Sequence, residues 1–472
     1  MNDETVRLVA VNPHDYKSTT VSLPKPPPDR SRFIILLVLV FVPFGGHFFK
    51  AAQSAMQPYF MASGLMDATK YGAMLSLFAV PNLVIPLLGG RVLDRGSRWT
   101  TLGFLGVSFA GMALYGLGLG VLRRVALGAL GSAVFGVGEG CVVVAPRVYV
   151  SAAFLGRELA FAQGVLVAGS NLAGTLAKAA VPWIVERCGS RYEVALVVCC
   201  SVQLVSLAAG AVHASCFPPR ARAEGVGAER GVAGPADDGS EAGVAGGDAS
   251  GNASGDAGGG VRRAAMRASA LLRPHLSSEF WFVAILHAMY VVVFKVFDNF
   301  SNSFLIERFG ADPVEAGFMS SLTKIFALLA PAVGLVADCT GRVQPIVFGA
   351  AVLGAASLAS LAFTSLSPVL GMLGMSLAHA FLPVLLHAVL PTTVPKSKFG
   401  IAFGISEVLV ACGNVSSNPA IGYIRDASGN YDGAVVAFFG LALGGALMIG
   451  AGCGFRTQKP TSRPETGNSF SI

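Results

Sequence analysis

Gly90-Arg-Val-Leu-Asp94 and Gly334-Leu-Val-Ala-Asp338 match at an offset of 244 residues. Val165-Leu-Val-Ala168, followed by Asn171, matches Val408-Leu-Val-Ala411, followed by Asn414, at an offset of 243. Two unrelated stretches that share one spacing mark an internal duplication. Outward from each copy run apolar segments near the length that crosses a hydrocarbon core of ~30 Å. They place spans at 33–56, 71–93, 99–120, 125–151, 159–185 and 192–215, then at 280–306, 314–337, 345–364, 368–392, 399–424 and 433–455. The reading is an all-α membrane protein of twelve helices in two pseudo-symmetric six-helix halves.

Composition agrees. Hydrophobic residues make up 53%, charged residues 13%, and the mean hydropathy is +0.63, whereas soluble domains carry roughly 25% charge. The boundaries expected are a disordered N-terminus (1–32), a six-helix bundle (33–216), a linker (217–276), a second bundle (277–455) and a tail (456–472). Gly225 to Gly260 holds hardly any bulky apolar residue, so it cannot bury a core. The polar, proline-rich first 32 residues contain no cleavable signal, which leaves the first span as its own insertion signal.

Lysines and arginines fall 22 on the side of the termini and linker against 7 on the other, which puts both termini and the linker in the cytosol. The net charge of +7 is therefore topological, and nucleic acid is not an expected partner. Eight cysteines include no CxxC pair, so no disulfide framework is implied. No His/Cys/Asp cluster has metal-ligand spacing and no ATP-binding Gly-rich loop occurs, so neither metal nor cofactor is expected. No motif supports an enzyme. Duplicated halves related by an axis along the membrane normal are a transporter architecture, with the solute bound at their interface.

Gly334 to Asp338, continued by Cys-Thr-Gly341-Arg342, resembles the signature loop of the major facilitator superfamily. Gly90 to Asp94, continued by Arg95-Gly96-Ser97-Arg98, is a copy one residue short. Gly422-Tyr-Ile-Arg-Asp426-Ala-Ser-Gly429-Asn-Tyr431 is also typical of that superfamily. Within it, Pro81 to Asp94, Val134 to Glu139, Gly156-Arg-Glu158-Leu and Phe309 to Gly341 look most like the lysosomal dipeptide uniporters of animals. The resemblance implies alternating access, a peptide or amino-acid solute, and a glycosylated single-pass accessory protein beside an otherwise monomeric carrier. It makes Gly90, Asp94, Arg95, Gly334, Asp338 and Arg342 gating-loop residues. The subfamily's substrate-holding arginine of span five and lysine of span seven read here as Asn171 and Asn302, and its span-four acid is displaced to Glu139.

Ionisable groups inside spans are expensive and default to functional roles. In span seven, Lys295, Asp298, Asn299 and Asn302 follow i, i+3, i+4, i+7 spacing and form one stripe. It either lines the cavity or holds a structural Lys295–Asp298 pair. In span one His47, Lys50, Ser54 and Gln57 share a face. In span five Asn171, Thr175 and Lys178 do, and Lys178 is placed to replace the missing arginine. Lys324 in span eight and Glu407 in span eleven complete the candidates. His379 and His387 of span ten are more readily structural than pH-sensing. Four lysines against Glu139, Asp298 and Glu407 favour a solute with a carboxylate.

The function expected is secondary transport of a small organic solute, a dipeptide or amino acid first. A sugar, drug or organic-anion carrier of the plasma membrane, or a non-transporting nutrient sensor, remain the alternatives. Glu4-Thr-Val-Arg-Leu8-Val9 resembles an acidic dileucine sorting signal and favours a lysosomal or other acidic vesicle membrane. Of the sequons, Asn252 lies in the linker and Asn299 and Asn414 lie in spans, so no glycan shields the lumenal loops.

Overall fold

The computed structural model describes residues 29–85, 99–154, 157–216, 276–329, 332–333, 343–395 and 399–451. The gating-loop positions Gly90, Asp94, Arg95, Gly334, Asp338 and Arg342 lie outside them, as do most of the N-terminus and linker and all of the tail. The described chain is helical and contains no strand.

The first half comprises α1 (Asp29–Phe41), α2 (Phe44–Ala62), α3 (Ala68–Ala79), α4 (Thr100–Gly116), α5 (Val125–Val142), α6 (Val144–Ala153), α7 (Arg157–Arg187) and α8 (Tyr192–Cys216). The second comprises α9 (Ser278–Phe309), α10 (Pro313–Ser321), α11 (Val343–Phe363), α12 (Pro368–Val389), α13 (Phe399–Ser428) and α14 (Asp432–Gly450). Among the described residues, nine stretches are long and apolar enough to cross a bilayer. Spans two and eight run into undescribed residues, and α13, with 30 residues, has the length to cross.

The duplication recurs in three dimensions. The chain reverses through a left-handed glycine before the second span of each half: Gly64 (φ +66°) and Gly310 (φ +66°). An aspartate then caps the next helix. Asp67 accepts from the Lys70 amide at 2.7 Å, and Asp312 accepts from the Val314 and Glu315 amides at 2.8 and 2.9 Å. These caps satisfy amides that have no intrahelical partner. Both second spans then lose α-helical form: α3 gives way to a 3₁₀ turn at Pro81–Leu83, and α10 to turns at Leu322–Lys324 and Phe326–Leu329.

Span one differs from the single helix expected. Pro43 cannot continue the ladder, so α1 ends at Phe41 and α2 begins at Phe44. The Ser206 hydroxyl of α8 enters the break. It accepts from the Gly45 amide at 2.8 Å and donates to the Phe41 carbonyl at 2.8 Å. Irregular backbone at membrane depth survives only where the protein re-satisfies it in this way.

Within the first half α4 packs on α5 and α2 on α7 and α8; within the second, α11 packs on α12 and α14. The halves meet along three seams: α3 on α13, α7 on α10, and α2 on α9. Span two thus meets span eleven as span five meets span eight, which is two-fold pseudo-symmetry. At the α3–α13 crossing the backbones nearly touch. A Cβ at Gly72 would strike the Asn418 carbonyl, and one at Gly422 the Ala68 carbonyl.

Candidate substrate site

Two ion clusters lie in the bundle interior. In the first, Lys50 of α2 donates to Glu139 of α5 at 2.8 Å. Glu139 is 2% exposed in its side chain and Lys50 27%. Gly46, one turn before Lys50, leaves room for the carboxylate, which a Cβ there would strike. The far oxygen, Oε2, is buried without a hydrogen-bond partner. The Lys50 ammonium also lies 5.8 Å from the centre of the Phe78 ring.

The second cluster centres on Asp298 of α9. Lys178 of α7 donates to Asp298 Oδ1 at 2.6 Å, to the Asp298 carbonyl at 2.7 Å and to Ser301 Oγ at 2.9 Å. Lys324 pairs with Oδ2 at 2.8 Å. The Thr323 hydroxyl donates to Oδ1 at 2.9 Å, and Ser54 of α2 donates to the Asp298 carbonyl at 2.9 Å. One carboxylate thus holds two ammonium groups, one from each half. Lys178 is fully buried. Lys324 reaches the carboxylate because the backbone tightens into a 3₁₀ turn at Leu322–Lys324, a form often found at functional hinges. The Ser376 hydroxyl accepts the Phe326 amide at 2.9 Å in the loosened segment.

Lys295 is not the partner of Asp298, although the i, i+3 spacing allows a pair. Asp298 turns into the seam between α7 and the loosened span eight. Lys295 points away from it, is exposed, and makes no ion pair among the described residues. It lies in the electrostatic field of Glu407, Lys50, Arg147 and Lys324, which come from four other spans. Glu407 is likewise exposed and unpaired among the described residues. Both lie within spans yet are exposed.

The face where α1 begins and α14 ends is here called the terminal face. Past Asp298 toward the other, distal face the interior closes. Asn302 accepts from Ser320 of α10, Asn299 donates to Asn418 at 2.9 Å, and Gln57 donates to the Tyr431 hydroxyl at 2.7 Å. On the distal surface Asp426 of α13 receives the Ala68 and Thr69 amides at 3.2 and 2.8 Å and the Thr69 hydroxyl at 2.6 Å. It thereby caps the first turn of α3 from the opposite half. A cavity of about 540 Å³ beside it is lined by Asp67, Lys70 and Arg425 among others.

Asn171 bonds within its own helix, to the Val167 carbonyl at 3.0 Å, and takes no part in either cluster. Thr175 one turn on has a buried hydroxyl without a partner. His379 stacks at 5.0 Å on Phe294, and the His387 side chain is outside the described residues. Ser301, Thr323 and Tyr431 were not among the sequence candidates. A hydroxyl in an apolar span is too common to single out. The one local signal was the small polar run Ser320, Ser321 and Thr323 before Lys324.

The Major Facilitator Superfamily pattern matches residues 36–405. The chain belongs to the Major Facilitator Superfamily. The lysosomal dipeptide transporter MFSD1 of Bos taurus is 25% identical over 402 residues, covering 84% of this chain and 80% of that protein. Among solved structures, a POT family transporter in complex with 5-aminolevulinic acid superposes with a TM-score of 0.66 at 13% identity, covering 88% of this chain and 95% of that one. The nucleoside transporter NupG gives 0.65 at 13% identity, covering 89% and 99%. At such identity the two structures share the fold alone. This chain is a multi-pass membrane protein that moves a small solute by alternating access, and the state described is closed at its distal face.

Proposed function

We propose that the solute is a dipeptide or amino acid, held by its carboxylate at the lysine-rich centre, and that the carrier works in a lysosomal or other acidic vesicle membrane. The observation that carries this is the charge inventory. Lys50 is matched by Glu139, Lys178 and Lys324 share Asp298, and Lys295 has no ion pair among the described residues. An unpaired cation in a cavity of low dielectric attracts an anionic group more strongly than it would in water. The MFSD1 relatives, named as lysosomal dipeptide transporters, support the same solute and membrane. The candidate substrate contacts are Lys295 and Lys324, with Lys50, Glu139, Lys178, Asp298, Asn302 and Glu407 around them and Asn171 nearer the terminal face. The terminal face is the cytosolic one, and the protein performs no bond chemistry of its own. Lacking lumenal sequons, it would share the shield of a glycosylated single-pass partner.

The test is uptake by proteoliposomes of a labelled neutral dipeptide, in competition with the same dipeptide as its C-terminal amide, a free amino acid and a hexose. The free acid should compete at least ~10-fold better than the amide, because the amide cannot satisfy a desolvated lysine. Equal competition by acid and amide would reject the carboxylate reading. Binding of dipeptide without exchange would point to a sensor instead.

A further inference from the structure

We infer that Asp298 is a built-in counter-ion that lets the empty carrier re-orient, so that transport does not require exchange. The inference rests on the proposed carboxylate-bearing solute, but its observation is separate: one carboxylate bridges ammonium groups from opposite halves. Lys178 rides on the first half and is fully buried; Lys324 and Asp298 ride on the second. Alternating access carries this cluster through an occluded state in which water reaches it from neither side. Two unscreened lysines facing each other there would repel and be desolvated together, which raises the barrier to occlusion. Asp298 removes one positive charge and gives both lysines a short partner. A bound solute carboxylate would do the same, which makes Asp298 dispensable when solute is aboard and indispensable when it is not.

The geometry fits that division of labour. Oδ1 is occupied by Lys178 and Thr323, whereas Oδ2 holds Lys324 alone. Lys324 is the more exposed of the two lysines, at 17% against 0%, and so is the one a solute carboxylate reaches first. Lys178 keeps Ser301 Oγ and the Asp298 carbonyl as partners whatever happens to the carboxylate, so an Asp298→Asn protein retains part of its seam. His379 and Lys295 also lie in the field of this cluster, and neither supplies a negative charge.

The experiment compares net efflux with exchange in proteoliposomes preloaded with a labelled neutral dipeptide. Asp298→Asn should lower efflux into peptide-free buffer at least ~10-fold more than it lowers exchange against external dipeptide. Asp298→Glu keeps a negative charge between the two lysines and should retain most of the net efflux. Equal loss of efflux and exchange in Asp298→Asn, or a loss of net efflux in Asp298→Glu as large as in Asp298→Asn, overturns the counter-ion role. A substrate-free readout separates this from failure of the carboxylate reading. In a Cys188→Ser background, Ala68→Cys sits in the closed distal seam, where Ala68 is fully buried. Without solute, its reaction with an impermeant maleimide should slow at least ~10-fold on adding Asp298→Asn, and an unchanged rate overturns the inference even if the solute proves to be something else.

Discussion

The two buried ion clusters use the same chemistry and differ in what they join. Lys50 and Glu139 belong to α2 and α5 of one half; Lys178 and Asp298 belong to α7 and α9 of opposite halves. When the halves rock against each other, the first pair travels as a unit and the second spans the moving boundary. The surroundings agree. Glu139 keeps one oxygen without a partner and leans on a single lysine. Asp298 is held by two lysines and a threonine, and its carbonyl by Ser54 and Lys178. The contact across the moving boundary is the more fully supported one, because an unpaired charge at that depth costs ~2.5–3.5 kcal/mol on insertion scales.

The largest effect should come from breaking the cross-half cluster. Lys178→Ala leaves a buried carboxylate with only Lys324 and Thr323, and removal of one partner of a buried pair costs about 3–5 kcal/mol. Thermal unfolding in detergent should show that loss, and exchange should fall below detection. Unfolding within a degree of the parent would mean that Asp298 is hydrated and the cluster is not a seam element.

The intra-half pair sharpens the contrast. Lys50→Met should destabilise more than Glu139→Gln, because it strands a carboxylate that is 2% exposed, whereas Glu139→Gln strands a lysine with solvent access. Lys50→Met with Glu139→Gln should recover stability and transport together. Lys178→Met with Asp298→Asn should recover stability alone. A double-mutant cycle scored for unfolding temperature and for exchange decides it; parallel behaviour of the two pairs would erase the distinction.

The fold was legible because the repeat and the apolar runs are properties of the local chain. The glycine turns at Gly64 and Gly310 and the caps Asp67 and Asp312 sit at repeat-related places, and both are readable once the offset is known. The break at Pro43 had a signal too, in a proline before two glycines, but hydropathy averages over it. The site was only half legible. Spacing put Lys295 and Asp298 on one stripe, yet three residues of helix fall about 60° short of a full turn, enough to aim one at the seam and the other away from it. Which lysine reaches Asp298 depends on span eight losing its α-helical form near Lys324. That is set by tertiary packing, and no single-span pattern contains it.

The distal seam offers a smaller test, by packing alone. Gly72→Ala or Gly422→Ala puts a Cβ into a facing carbonyl, and overpacking of this kind costs about 1–3 kcal/mol. Because the strain exists only when α3 and α13 are closed on each other, it should favour the distal-open state rather than unfold the protein. Spin labels at Leu65 and Tyr423 would show the longer distance gaining population in both variants. An unfolding temperature that falls with no change in the distance distribution would make the crossing purely structural.

The smallest effect expected is at Asp426. Its carboxylate caps α3 from the other half through the Ala68 and Thr69 amides and the Thr69 hydroxyl, where a negative charge also meets the positive end of the helix. Asp67 remains as the helix's own cap, so α3 itself should survive Asp426→Asn. What is lost is the charge in a contact between halves, worth ~1 kcal/mol by comparison with other caps. That is roughly a five-fold shift in the ratio of distal-open to distal-closed carrier. The same spin-label pair would detect it, and Thr69→Val, which removes one donor and leaves the carboxylate charged, should shift the ratio less. The Lys50–Glu139 pair provides the internal control, since Glu139→Gln breaks a contact within one half and should leave the distal distance unchanged. If Glu139→Gln moves that distance as much as Asp426→Asn does, contacts within a half and contacts between halves are not separable, and the division drawn between the two clusters fails.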